Sequence, residues 1–346
     1  MSDRLFIIIP AYNEQENIKQ VVNDWYPVIE KYGTDSRLVV IDDGSRDDTY
    51  KILAEMSSSM PHLTALTKPN GGHGAAVNTG MENATGMYFK VVDSDDKVGE
   101  EGLYKVLDTL KYFTTEDQPI DMLISNFVYD KVGVAEDKKK VMSFEGIMPQ
   151  NFVFDWEITS HFKPGDYMLM HSVIFRTQIL RDMDLKLPRH TFYVDNIFVF
   201  EPLLHVERMY YLNVNFYYYF IGREDQSVNE SVMVKRVDQQ LSVNYRMLDF
   251  YITNKNEIKK NKRRAQYLYN YLEIITTVSM VLLLLDGSRE AIDKRTALLE
   301  YIARDKMLYT KFRFGICGTI MTLPGKSGRL MSLSAYKLAQ KFYNFN

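Results

Sequence analysis

Three carboxylates crowd into four positions at Asp93-Ser94-Asp95-Asp96, directly after the apolar run Tyr88-Phe89-Lys90-Val91-Val92. A short β-branched run of this kind reads as a buried strand that ends in the acidic residues. Like charges packed so closely repel, raising their pKa values unless a cation or hydrogen-bond donors compensate. A divalent ion would do so, held by one or two hard carboxylate oxygens and open to phosphate oxygens at its other positions. By itself the triplet also reads as a solvated turn, since Asp and Ser are favoured at turns and helix N-caps.

Two further strand ends carry polar residues. Arg37-Leu38-Val39-Val40-Ile41 leads into Asp42-Asp43-Gly44-Ser45, and Leu5-Phe6-Ile7-Ile8-Ile9 leads into Pro10-Ala11-Tyr12-Asn13-Glu14. Helices are predicted at about 16–31, 47–57 and 73–84, so strands and helices alternate as βαβ units with a parallel sheet. Right-handed crossovers bring the carboxyl ends to one edge, where open α/β sheets bind ligands. The loop Asn70-Gly71-Gly72-His73-Gly74 permits positive φ and close backbone approach. It lacks the Gly-Lys-Ser/Thr of a phosphate loop, and no G-x-G-x-x-G follows the first strand. His73 reads as a loop or helix-start residue, and Lys68 as either a phosphate partner or a solvated side chain.

Four linked motifs carry a resemblance. They are Pro10-Ala11-Tyr12-Asn13-Glu14, Asp42-Asp43-Gly44-Ser45 with Asp48-Thr49, Asn70-Gly71-Gly72-x-Gly74-Ala75-Ala76-x-Asn78-Thr79-Gly80, and Asp93-x-Asp95-Asp96. In order and spacing they resemble the inverting family 2 glycosyltransferases of the GT-A fold, of the bacterial cell-envelope or polysaccharide type. The likeness continues through Phe175-Arg176, Tyr193-Val194-Asp195-Asn196 and Tyr217-Tyr218-Tyr219-Phe220-Ile221-Gly222-Arg223, then fades near residue 230. It implies an α/β fold: a GT-A, Rossmann-like sheet binding a nucleotide-sugar, with a C-terminal helical region. The expected division is 1–230 for the transferase domain (nucleotide-binding half 1–100, acceptor half 101–230) and 231–346 for the helices.

The resemblance also assigns roles. Asp93, with Ser94 beside it, meets the ribose, and Asp95 ligates Mn²⁺ or Mg²⁺. Asp43 reads the base edge, while Pro10, Tyr12 and Glu14 line the donor site with Tyr12 placed to stack. Arg223 meets the pyrophosphate from a closing loop. Asp195 is the general base, although Val194 stands where the family has a Glu; a helix N-cap is its plainer reading. The activity implied is transfer of a sugar from a nucleotide-diphosphate donor, UDP first, to a hydroxyl of a glycan or lipid-linked acceptor. A sugar-phosphate nucleotidyltransferase would carry a Gly-rich basic loop after the first strand, and a nicotinamide dehydrogenase its glycine fingerprint; both are absent there. A sugar-nucleotide-binding module without turnover stays open because of Val194.

Apolar content of 46% with 25% charged residues over 346 positions is that of a globular chain with ample core. The lone Cys317 excludes an internal disulfide and suits a reducing compartment. No secretory leader precedes the first strand, and the longest strongly apolar stretch, 274–285, falls short of a membrane span. A cytoplasmic protein is expected. The net charge of −3 is uneven: residues 301–346 hold eight Lys/Arg against one Asp, so the first 300 carry −10. A basic tail interleaved with Phe, Tyr, Leu and Met suits an anionic lipid surface, or a packing face within a homo-oligomer. No nucleic-acid-binding motif accompanies it. Trp156 reads as a core residue before a sugar platform.

Overall fold

The computed structural model describes residues 5–343, apart from 32–34, 117, 164, 223–228 and 324. The chain forms two compact units, 1–160 with 168–221 and 161–167 with 222–346. In the first, β1 (Phe6–Ala11), β2 (Arg37–Asp42) and β3 (Leu63–Thr67) make a parallel sheet in that order. The connecting helices are α1 (Ile18–Lys31) and α2 (Thr49–Ser59). Ile18, Val22, Tyr26 and Ile29 recur at helical spacing along α1 and bury one stripe against Ile7, Ile9, Leu38, Val40, Leu53 and Leu63. After α3 (His73–Asn83), Gly80 lets Ile8 and the Phe89 ring approach the helix closely.

The fourth strand differs from expectation. β4 spans only Tyr88–Phe89 and pairs antiparallel with β8 (Val173–Arg176), so it does not extend the parallel set. Beyond Phe89 the chain leaves the ladder, because Lys90 turns its ammonium onto the carbonyls of Met170 and His171. The first unit continues with β5 (Lys97–Val98), α4 (Glu100–Thr115), β6 (Met122–Lys131) and β7 (Lys140–Met142). After β8 come α5 (Thr177–Asp182), α6 (Asp195–Phe200) and β9 (Met209–Ile221). A second, mixed sheet runs β4-β8-β6-β9-β5, with β7 pairing β6 across the expected hairpin. The first seven residues of β6 are buried without alternation, as a central strand covered on both faces requires. Val92, Leu103, Val106, Phe113, Leu123, Phe127, Ile174 and Phe216 form its core.

The second unit is helical, as the spacing beyond residue 233 predicts: α7 (Glu230–Lys235), α8 (Val237–Thr253), α9 (Lys255–Ile258), α10 (Lys262–Asp286), α11 (Arg289–Ile302), α12 (Lys306–Arg313), α13 (Ile316–Met321) and α14 (Gly325–Tyr343). Asn261 caps α10 by accepting from the Arg263 and Arg264 amides, and Gly287 ends it at φ 66°. α10 is long and apolar enough to cross a membrane by length and composition, with a mean hydropathy of 1.7 over its best 18 residues. The sequence count missed this because Tyr, Thr and Ser interrupt the apolar run. Of that window 67% is buried within the protein. Asn244 of α8 donates to Thr276 (3.0 Å) and Gln240 to Ser279 (3.3 Å), so α10 carries buried polar groups with partners inside the unit. Phe162 packs edge-on against Tyr267, anchoring the 161–167 segment to α10.

One carboxylate ties three strands of the second sheet together at their ends. Asp121, 6% exposed, accepts from Arg176 Nη2 (2.8 Å) and Nε (3.1 Å) through one oxygen. Its other oxygen takes the amides of Glu207 and Arg208, each at 2.9 Å. Asp121→Ala orphans these amides and a half-buried guanidinium, and is expected to cost about 3 kcal/mol. Urea denaturation reads that loss, and a wild-type midpoint would show that water replaces the bonds without cost.

Candidate active site

The loops after β1 and β2 hold each other through side chains that cap the opposite backbone. Asn13, at φ 56°, donates its amide to Ser45 Oγ (2.9 Å), and its side-chain oxygen accepts from Arg46 N (2.9 Å). The Glu14 amide donates to Thr49 Oγ1 (2.8 Å), whose hydroxyl donates to Asp47 (2.5 Å). Pro10 sits half-buried in β1, opposite Ile41, on a strand that pairs only with β2 among the described residues; its missing N–H disrupts no ladder there. Tyr12 is 41% exposed above this clasp. Glu14 reaches across to the acidic turn, where Ser94 Oγ donates to its carboxylate at 3.2 Å.

The two aspartates ending β2 are both buried and both occupied. Asp42 accepts from Ser45 N (3.2 Å) and Thr67 Oγ1 (2.8 Å). Asp43, which the family likeness makes a base reader, accepts from the amides of Gly71 (3.1 Å to each oxygen) and Gly72 (2.7 Å) and ion-pairs with Lys68. Asn70 Nδ2 donates to its backbone carbonyl at 2.9 Å. In this structure Asp43 therefore anchors the glycine loop, and its carboxylate engages the Lys68 ammonium.

The glycines serve close approach to the segment that leads to Asp195. A Cβ on Gly74 would lie 2.5 Å from the Pro188 carbonyl oxygen, and one on Gly72 would lie 3.2 Å from His190. Asn78 and Leu187 exchange two hydrogen bonds, side-chain amide to carbonyl and backbone N–H to side-chain oxygen, both 2.9 Å. The His190 amide donates to the Gly71 carbonyl at 2.6 Å. Asp195 then opens α6, with Val194 in the N-cap position and the Asp195 carboxylate bonded by the Asn196 amide of the first turn.

His73, at the first position of α3, places Nε2 2.8 Å from Asp93 Oδ1. Burial alone would lower its pKa, but the charges of Asp93, Asp195 and Asp95 raise it above the usual value. Burial likewise works to raise Asp93, and the charge and hydrogen bond of His73, helped by Lys90, hold its carboxyl below the ordinary range. Asp195 is raised by burial and by Asp93, against the pull of His73. Asp96, nearly sealed, is pushed up by burial and then by the Asp93 charge, although Tyr217 OH (2.7 Å) and the Phe220 amide (2.8 Å) both donate to it. Asp95 is exposed at the turn. The acidic turn and Asp195 thus come together around one histidine.

The donor set suits a hard divalent ion. Asp95 offers an exposed carboxylate beside Ser94 and Glu14, the oxygen chemistry that Mg²⁺ and Mn²⁺ take. A second grouping also arises: ligand atoms of Asp93, Asp96 and His171 lie within 4.8 Å of one another. There Asp93 is bonded to His73, and Asp96 to Tyr217 and Phe220.

Arg223 lies outside the described residues, with Gln226 and Ser227. Trp156 is buried, its Nε1 donating to the Val206 carbonyl at 2.9 Å, so it is a core residue. Sequence reasoning missed Lys90, His171 and Tyr217. Lys90 left one signal, a lysine inside an apolar run, where burial demands partners.

Residues 6–177 match the family model "Glycosyl transferase family 2". The uncharacterized glycosyltransferase YibD of Escherichia coli (strain K12) is 33% identical over 97 residues, 28% of this chain and 27% of that protein. The poly(ribitol-phosphate) beta-N-acetylglucosaminyltransferase TarS of Staphylococcus aureus (strain Mu50) is 25% identical over 231 residues, 65% of this chain. The chain matches only 37% of the length of TarS. The crystal structure of S. aureus TarS 1–349 in complex with UDP-GlcNAc superposes with a TM-score of 0.58 at 19% identity, covering 99% of this chain and 91% of that one. That likeness shows a shared GT-A fold. Matched from the first strand through β8 and joined to these structures by fold, the chain belongs to glycosyltransferase family 2.

Proposed function

We propose that the protein is a metal-dependent inverting glycosyltransferase, moving a sugar from a nucleotide-diphosphate donor to a hydroxyl of a glycan or lipid-linked acceptor. The observation that carries this reading is the docking of the 187–190 segment on the glycine loop, which sets Asp195 and the acidic turn around His73. A UDP-sugar is the first candidate donor, in keeping with the UDP-GlcNAc bound by TarS.

Asp95 would hold Mn²⁺ or Mg²⁺, which when bound supplies positive charge to the departing diphosphate. Asp195 takes the proton from the acceptor hydroxyl as its oxygen attacks the anomeric carbon. The bond from that carbon to the diphosphate oxygen breaks on the opposite face, and configuration inverts. Burial raises the Asp195 pKa, which makes its carboxylate a stronger base than an ordinary one. His73 holds Asp93 in the orientation that meets the ribose, and Tyr12 offers an exposed ring to the base.

Incubation with UDP- and GDP-sugars, Mn²⁺ and candidate acceptors tests the reaction, and a product of retained configuration would sink the mechanism. Asp95→Ala is expected to abolish metal-dependent turnover with the melting temperature kept, because the side chain is exposed. Asp195→Asn should bind donor but transfer about 10²–10⁴-fold more slowly. Near wild-type transfer by Asp195→Asn would place the base elsewhere.

We further propose that the second unit meets an anionic membrane surface on the cytosolic side. Leu330, Met331 and Leu338 stand exposed on α14 together with Lys326 and Lys337, and Phe314 is 78% exposed nearby in sequence. Each basic residue near an anionic leaflet contributes about 1 kcal/mol, so attachment would be reversible and salt-sensitive. Co-sedimentation is expected with anionic but not neutral liposomes, and to weaken at high salt. Negligible binding to both, with a dimer or larger species in sedimentation, would assign the face to self-association.

A further inference from the structure

A lysine lies on the protein side of the acidic turn, in a place where a buried charge needs a reason. Lys90 stands three residues before Asp93, and its Nζ donates to the carbonyls of Met170 (2.7 Å) and His171 (2.9 Å). The ammonium is 4.7 Å from the centroid of the Tyr217 ring, within cation–π range. That ring carries the hydroxyl that accepts from the Asp93 amide (3.1 Å) and donates to Asp96 (2.7 Å). Asp96 in turn accepts the Phe220 amide at 2.8 Å. His171, whose carbonyl Lys90 holds, stacks on Tyr219 with centroids 4.2 Å apart and sits 3.8 Å from Asp96. One cation thus joins the short 3₁₀ turn at Met170–Ser172, the end of β9 and both ends of the acidic turn.

We propose that Lys90 is a positioning residue for the acidic turn, its two carbonyl bonds and its contact with the Tyr217 ring setting how residues 93–96 project toward the donor. Two features distinguish this from simple packing. A lysine costs free energy to bury unless its charge is used, and an apolar side chain of the same length would fill the space more cheaply. Burial pulls the Lys90 ammonium down to a pKa of about 7, and the charges of Asp93 and Asp96 work against that pull. The grouping of Asp93, Asp96 and His171 that resembles a second cation site is thereby answered by the protein itself. Asp95 is exposed at the turn.

Lys90→Gln removes the charge and shortens the reach to the two carbonyls by one atom; Lys90→Arg keeps a charged donor there. Hydrogen–deuterium exchange of the full chain reads the turn directly, without needing a reaction. In Lys90→Gln the amides of residues 93–96 and 220 are expected to exchange at least about tenfold faster, with β1–β3 unchanged, and Lys90→Arg to restore most of the protection. Turnover rests on the transferase reading: kcat/KM for the donor should fall by up to about 10²-fold, with donor KM rising because Asp93 and Asp95 face the donor. Tyr217→Phe removes the hydroxyl that joins Asp93 to Asp96 and should reproduce both effects. The double variant should then be no worse than the poorer single one. Wild-type exchange at 93–96 in Lys90→Gln, an increase spread evenly over the unit, or additive losses in the double variant would each overturn the proposal. Silence of the wild-type protein toward every donor would count against the transferase reading alone, since the exchange data stand apart from it.

Discussion

Negative charge is concentrated between the acidic turn and the start of α6: Asp93, Asp95 and Asp195 all act on His73, and Asp93 and Asp95 both bear on Asp96. Like charges at such range cannot all stay ionised without compensation, and the neighbouring structure supplies it in three forms. A histidine answers Asp93, hydrogen-bond donors from β9 answer Asp96, and a buried lysine answers the turn as a whole. β9 is 13 residues long and pairs with β6 and β5, so the donors it brings are fixed by sheet hydrogen bonds rather than by loop conformation. The second sheet can therefore be understood as the support on which the acidic turn rests.

A second constraint is the Asp43 knot. A buried carboxylate accepting two amides and an ammonium is costly to disturb, and here it fixes the start of α3. Gly72, at φ 78°, could not be replaced by a residue with a side chain without strain, and its neighbour Gly74 leaves room for the Pro188 carbonyl. The loop thus works as a joint between two stretches of chain more than a hundred residues apart.

Much of this was legible from residue order. The runs before Asp42 and Pro10 gave β1 and β2 because burial alternates with apolar identity, and the helices followed within about two residues. The mixed sheet was not legible, since the antiparallel pairing of β4 with β8 joins residues 86 and 88 positions apart that no local pattern links. Asp43 shows the same limit: sequence gives a carboxylate at a strand end, while its donors come from a loop 28 residues on. Lys90 and Tyr217 escaped for a different reason. Their types look like defects in a strand and ordinary aromatic filling in another, and only their meeting across 127 positions gives them a common task.

The position of Asp195 follows from these two constraints together. α6 is six residues long and too short to hold itself in place, so its start is set by what precedes it. That preceding chain is held by Asn78 and by the Gly71 carbonyl, and Gly71 is held by Asp43. Asp195 therefore takes its place from Asp43, just past the end of β2, while Asp93 takes its place from Tyr217 and His73. His73 belongs to both lines, because it begins the helix that Asp43 anchors and bonds the carboxylate that β9 supports. A disturbance of the glycine loop must for this reason be felt at both carboxylates, whichever side of the site it starts from.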